Sequence, residues 1–313
     1  MPLNQAEMIV DRRQLKRRLW RWRIFTVIAA LVALATAFGA GGDFSKYSDH
    51  IARVRINGLI TGDEATLNLL DGLEKADKVK AVIIRIDSPG GTTAGSEAIY
   101  ERIRKISAKK PVVAVMDSVA ASGGYITAIA ADYIVARGNT ITGSIGVIFS
   151  FPEVSKLLET LGIKMEEVKS AELKAEPTPY KPMSDRVRSV TNDMVQESFT
   201  WFKGLVVERR KMTPERVAIL ADGRVYSGRQ AVTEKLIDAL GGEDVAVKWL
   251  EADRKIPEKL TIVNWDPPAK TDPTGLGFSI ANIALKALGF SGLNTQLESA
   301  RLDGMLVLWH PQF

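Results

Sequence analysis

From residue 51 onward, apolar residues arrive in short dense runs separated by helical stripes. Ile51 to Ile56, Val79 to Ile86, Pro111 to Met116, Tyr133 to Ala136 and Ile145 to Phe149 carry the β-branched and aromatic residues that favour strands. VKAVIIRI and PVVAVM are nearly continuous in apolar residues, as expected of strands covered on both faces. Between these two runs Ile99, Ile103 and Ile106 recur at i, i+4 and i+7, which predicts a helix with one buried stripe. Strand, helix and strand at this spacing predict right-handed βαβ units and an α/β fold.

A longer helix is predicted across residues 185–210, where Val187, Val190, Met194, Trp201 and Leu205 keep a helical period. Such a stripe points to core or subunit packing rather than to a cofactor site. Pro257, Pro267, Pro268 and Pro273, with several Gly and Asp, mark residues 254–276 as a linker. Beyond it, Phe278 to Leu288 is an apolar stretch too brief to span a membrane, expected to serve docking or oligomerisation.

The N-terminus has a different pattern. Ile24 to Gly42 (IFTVIAALVALATAFGAGG) is uncharged and close to the ~20 residues that cross a bilayer as a helix. Seven basic residues between Arg12 and Arg23 precede it, with Trp20 and Trp22 at the headgroup position. The positive-inside bias then leaves residues 1–23 in the cytoplasm and the remainder outside, in a bacterium the periplasm or cell exterior. A cleaved signal peptide is the alternative, with Ala35-Thr36-Ala37 as a small-x-small site, although a 23-residue charged lead is long for one. Both readings export the rest of the chain. The expected division is a basic segment 1–23, a transmembrane anchor 24–42, a spacer 43–50, an α/β domain 51–255, and a linker with C-terminal extension 256–313.

The net charge of +5 resides wholly in that basic segment, because residues 24–313 carry thirty-five acidic and thirty-five basic side chains. A nucleic-acid surface needs positive charge spread over the fold, so this function class is excluded. No cysteine is present, which removes disulfides, thiolate nucleophiles and thiolate zinc sites.

Two glycine-rich turns stand at the ends of predicted buried strands, where open α/β sheets place their sites. Asp87-Ser88-Pro89-Gly90-Gly91 follows VIIRI and leads into a helix, and its amides suit a negative oxygen. Ala120-Ala121-Ser122-Gly123-Gly124-Tyr125 follows PVVAVMDSV. A serine at such a corner exposes its hydroxyl beside the amide of the next residue, here Gly123, while the competing reading is an ordinary helix N-cap. His50 and His310 are the only histidines, one in the spacer and one near the end, so a Ser-His-Asp triad is not expected. A lysine base remains, and its pKa of about 10.4 has to fall by desolvation. Lys169, Lys174 and Lys181 cluster in a proline-containing segment, and the sequence does not rank them.

DSPGG, ASGGY, TGSIGV (Thr142 to Val147), KSAELK (Lys169 to Lys174), GRVYSGRQA (Gly223 to Ala231) and LIDALGG (Leu236 to Gly242) occur in this order. In these motifs the chain resembles the signal peptide peptidase SppA family, serine protease family S49, in its short bacterial form. The likeness covers roughly residues 50–255. It implies a ClpP/crotonase-like fold of repeated βαβ units behind one N-terminal transmembrane helix, with no cofactor and no metal. Carried over by residue, it implies Ser122 as nucleophile, Lys174 as general base, Ser144 as the group orienting the lysine amine, and the amides of Gly91 and Gly123 as oxyanion hole. It further implies a membrane-anchored endopeptidase that degrades signal-peptide remnants and other short or unfolded chains. Assembly is expected as a homo-oligomeric ring, commonly octameric, with serine and lysine contributed by neighbouring protomers. Ala171 stands where the family usually has glycine. Two further functions fit the same architecture, an acyl-thioester enzyme of crotonase type and a membrane scaffold that does not use the site. Export separates the first from its cytoplasmic cofactor.

Overall fold

The computed structural model of the chain describes residues 18–30, 44–267 and 305–308. The chain divides into two compact units, residues 1–48 and 49–313. In the first, residues 18–30 form helix α1, with Trp20, Trp22, Phe25 and Ile28 exposed along it, and Phe44–Tyr47 make one 3-10 turn. Among the described residues no helix is long and apolar enough to cross a membrane. Residues 31–42, most of the stretch expected to span one, lie outside the described residues, as do Phe278 to Leu288.

The second unit begins with β1 (His50–Ile60), α2 (Glu64–Lys75), β2 (Val79–Thr92), α3 (Thr93–Ser107), β3 (Val112–Ala121), α4 (Gly123–Ile129) and β4 (Tyr133–Ala136). The four strands pair in parallel, β1 with β2, β2 with β3 and β3 with β4. Successive residues of β2 enter opposite cores. Val82, Ile84 and Ile86 pack into the cluster that includes Leu70, Ile103 and Ile126, whereas Ala81 and Ile83 pack with Ala246 and Leu250. Coverage on both faces is the physical reason for the unbroken apolar run.

The remainder comprises β5 (Ile141–Gly143), β6 (Ile148–Phe149), α5 (Ser155–Thr160), α6 (Asp185–Arg210), α7 (Pro214–Leu220), β7 (Val225–Ser227), α8 (Gly228–Thr233), β8 (Ala239–Leu240), α9 (Glu243–Ala252), β9 (Ile262–Asn264) and β10 (Met305–Leu308). One mixed sheet results: β5 takes over from β4 along the far end of β3, β7 joins β5 antiparallel, and β8 and β9 add in parallel to β4 and β1. β10 lies antiparallel to both β2 and β6.

The helix read from Ile99, Ile103 and Ile106 is α3, and all three residues are buried. Residues 185–210 form one helix, capped by Ser184, whose hydroxyl accepts from the Val187 amide at 3.3 Å. Its apolar stripe is covered only in part, since Val187, Phe202 and Val206 are buried while Val190 and Met194 are exposed. The single strand expected over Ile145 to Phe149 is corrected. Gly143 and Ser144 both take positive φ, ending β5, and pairing resumes only at Ile148. The stretch expected to be a linker also enters the sheet, through β9 and through Trp265, whose Nε1–H donates to His50 Nε2 at 3.1 Å.

Candidate active site

Register places the two glycine-rich turns against each other. Ser88 of β2 pairs with Ala120 of β3, and a Cβ built on Gly124 would stand 2.7 Å from the Ser88 carbonyl oxygen. Gly91 approaches β1 still more closely, with a built Cβ only 1.9 Å from the Ile60 carbonyl oxygen. Glycine is therefore required at 91 by packing, whereas at Gly90 it is required by a φ of 112°. Ser88, fully buried, holds this turn from inside, because its hydroxyl accepts from the Gly90 amide at 3.1 Å. Sequence reasoning did not single out Ser88, although its place inside DSPGG was a signal.

Ser122 sits where β3 turns into α4, with φ 55° and ψ −115°. Its side chain makes no capping hydrogen bond, which removes the N-cap reading. The residue is 1% exposed and its Oγ has no hydrogen-bond partner among the described residues. A buried hydroxyl without a partner costs about 1–3 kcal/mol, and positive φ in a non-glycine residue adds to that cost. Both features concentrate at positions kept for chemistry. The backbone fixes the corner: the Ser122 amide donates to the Gly143 carbonyl at 2.8 Å, and the Ser144 amide donates to the Arg224 carbonyl at 2.8 Å. Because Ala121 pairs with Gly143, Ser122 and Ser144 follow each other across neighbouring strands. The structure thus brings together the turns carrying Gly91, Ser122, Gly123 and Ser144.

Lys174 makes no hydrogen bond to Ser122. It is exposed, in a turn where its amide donates to the Ala171 carbonyl at 3.0 Å and where Ala175 has φ 60°. The fold does separate the three lysines that sequence left unranked. Lys169 Nζ lies 2.8 Å from Glu167 and 2.8 Å from Glu176, and Lys181 Nζ lies 2.5 Å from Glu176. Glu167 first and Glu176 second hold the Lys169 ammonium well above the ordinary lysine range, so it stays protonated. Lys169 is thereby unsuited to act as a base. Glu176, with a side chain 5% exposed, is the centre of this clamp and also lines a cavity of about 130 Å³ with Phe149, Leu173, Val190 and Met194.

His50 is buried at the start of β1 and pairs with Val79, whereas Ile60 at the other end pairs with Gly91. Ten residues of strand, about 33 Å, separate that imidazole from the Gly90-Gly91 turn. Among the described residues no group of three or more His, Asp or Glu side chains could hold a metal ion.

The model of Peptidase family S49 matches residues 104–257, and that of Clp protease matches residues 54–140. A protein of Enterococcus faecium with the provisional name signal peptide peptidase SppA is 33% identical over 243 residues, covering 73% of this chain and 69% of that one. The chloroplastic serine protease SPPA of Arabidopsis thaliana is 33% identical over 301 residues, 84% of this chain and 44% of its own. A protein of Methanocaldococcus jannaschii provisionally named a protease is 37% identical over 185 residues, 59% of this chain and 60% of its own. The chain therefore spans less than two thirds of the length of the plant and archaeal relatives.

Proposed function

This chain belongs to peptidase family S49, and from that premise we propose that it is a serine endopeptidase working through a dyad of Ser122 and Lys174. The observation that carries the reading is the Ser122 hydroxyl, buried, without a hydrogen-bond partner among the described residues and held at positive φ in the second glycine-rich turn. In the proposed reaction Ser122 Oγ attacks the scissile carbonyl carbon while Lys174 Nζ takes its proton. The Gly91 and Gly123 amides receive the developing oxyanion. Collapse of the tetrahedral intermediate expels the amine, which takes the proton back from Lys174, and water then hydrolyses the acyl ester by the same path. Ser144 would donate or accept a hydrogen bond that aims the lysine amine.

A lysine amine serves as a base only once its pKa has been lowered, and burial is what lowers it. Lys174 therefore has to be covered, and the Ser122 hydroxyl has to receive a partner from elsewhere. A second protomer meets both needs. Supporting this are the exposed apolar residues on one stretch of chain, Leu157, Leu161, Ile163 and Met165, and Val190 and Met194 on α6. We accordingly propose a homo-oligomeric ring with the dyad shared across each boundary.

The uncharged stretch after the basic segment and the exposed Trp20, Trp22 and Phe25 support a single-pass anchor in a bacterial inner membrane, with the peptidase on the extracytoplasmic side. Signal-peptide remnants and other short or unfolded chains would be its substrates, and the apolar cavity beside Phe149 suits their side chains.

The test is cleavage of casein or a model peptide by full-length protein. Ser122→Ala and Lys174→Ala should each abolish turnover and, mixed in verified hetero-oligomers, should recover part of it. Full activity of folded Lys174→Ala would overturn the dyad. Failure of a serine-directed acylating probe to modify Ser122 in assembled protein would favour a scaffold.

A further inference from the structure

We propose that Ser88 is a positioning residue for the reaction: its hydroxyl latches the peptide unit that carries the Gly91 amide and keeps that N–H aimed at the oxyanion. The Gly90 carbonyl and the Gly91 N–H belong to one planar trans peptide unit and point in opposite directions, so whatever fixes the carbonyl fixes the amide. Ser88 Oγ accepts from the Gly90 amide at 3.1 Å and makes a longer bond, as donor, to the Gly90 carbonyl at 3.3 Å. Both bonds are shielded from bulk solvent, because Ser88 is fully buried.

A latch is needed because this unit has glycine on both sides. Turning a peptide plane changes ψ of the residue before it and φ of the residue after it, and at Gly90 and Gly91 no Cβ opposes either change. Glycine is unavoidable at both positions, since Gly90 stands at φ 112° and the Ile60 backbone fills the place of a Cβ on Gly91. Pairing with Leu59 and Ile60 of β1 sets the path of the stretch, and the Ser88 bonds add the constraint on the plane. The same residue also sets the distance to the second proposed donor. Ser88 pairs with Ala120, and its carbonyl oxygen and Cβ stand 2.7 and 3.5 Å from a Cβ built on Gly124, the residue after Gly123. Ser88 thus touches both turns, and the Gly91 and Gly123 amides are held in relation to each other through it.

This inference rests on the reading of Ser122 as nucleophile and of Gly91 as oxyanion donor, and the test tells the two apart. Full-length Ser88→Ala is compared with the parent in peptide hydrolysis and in inhibition by a peptide boronic acid of a sequence the parent cleaves. Boron takes a lone pair of Ser122 Oγ, the hydroxyl proton passes to Lys174, and the tetrahedral anion sets one oxygen at the Gly91 and Gly123 amides. Ground-state binding is read separately, as the Kd of the corresponding peptide amide for Ser122→Ala and for Ser122→Ala carrying Ser88→Ala. The latch predicts a kcat lower by on the order of ~10- to 100-fold, boronate inhibition weaker by a similar factor, and KM and peptide Kd within about twofold of the parent values. Equal boronate affinity in Ser88→Ala and the parent would overturn the inference. So would boronate and peptide weakened alike, the pattern of a general distortion. Should Ser88→Ala not assemble, Ser88→Cys, whose thiol is only a weak donor and acceptor, is measured and read in the same way. A parent that neither hydrolyses peptide nor binds the boronate would reject the peptidase reading itself, and this inference with it.

Discussion

Gly91→Ala is the sharpest perturbation of the proposed oxyanion hole. The methyl group would lie 1.9 Å from the Ile60 carbonyl oxygen, 2.5 Å from its carbon and 2.6 Å from the Ile60 nitrogen, all backbone atoms of the neighbouring strand. No rotamer change relieves a backbone contact. Restoring ordinary separation of about 3.4 Å requires β1 and β2 to part by about 1.5 Å at this point, against interiors that are close-packed. Overpacking of this kind costs about 1–3 kcal/mol of stability. The larger effect should fall on catalysis, since a misplacement of ~1 Å costs about 100-fold and loss of an oxyanion donor about 100- to 1,000-fold. These overlap rather than multiply, so kcat/KM should fall about 100- to 1,000-fold, or ~3–4 kcal/mol of transition-state stabilisation. Peptide hydrolysis would be measured alongside circular dichroism and oligomer size, to separate chemistry from folding. Folded Gly91→Ala that retained activity within about threefold of the parent would refute the placement of this amide in the site.

Ser122→Ala should leave the melting temperature unchanged or raised, because the hydroxyl it deletes bonds to no group among the described residues of its own chain; a fall of the kind seen on losing an N-cap, about 1 kcal/mol, would show that the serine caps α4 after all. Gly72→Ala, at an exposed position in α2 where a Cβ meets nothing within 4 Å, should raise stability by about 0.5–1 kcal/mol in urea titration and leave activity alone. Lys169 and then Lys181 hold the Glu176 carboxyl below the usual range, so its contribution to stability is present above the unfolded-state pKa and is lost as pH falls through the depressed folded value. Glu176→Gln should accordingly flatten the acid limb of a melting-temperature profile. Tyr125→Phe should cost about 1 kcal/mol in denaturant titration, since its buried hydroxyl donates to the Leu236 carbonyl at 2.9 Å.

How much of this was legible depends on whether the signal was local. VKAVIIRI and PVVAVM announced β2 and β3 because burial on both faces leaves a composition that one strand carries alone. The helix at 185–210 was legible from its period, while its half-covered face was not, because coverage depends on what packs there. Ser122 stood out as a serine at a strand-to-helix corner, but only its dihedral angles and missing partner distinguish it from a cap. The ion pairs that set Lys169 and Lys181 apart from Lys174 form with Glu167 and Glu176 only after the segment folds back on itself, so no local signal in the sequence shows them. β9 and β10 escaped notice for a related reason. Strands of three and four residues have no readable period, and their partners lie far away in the chain.

The loop bearing Ser144 is tied by its amide to the carbonyl of Arg224, and β5 beneath it is paired with β7. A ribosome that has delivered Ser122 has still to make about a hundred residues before those tethers exist. Throughout that interval the nascent chain owns the proposed nucleophile while its carrier is unfinished. Under the proposed mechanism, attack on neighbouring polypeptides thus waits for the far half of the domain, a delay written into the order of the gene rather than into any inhibitor.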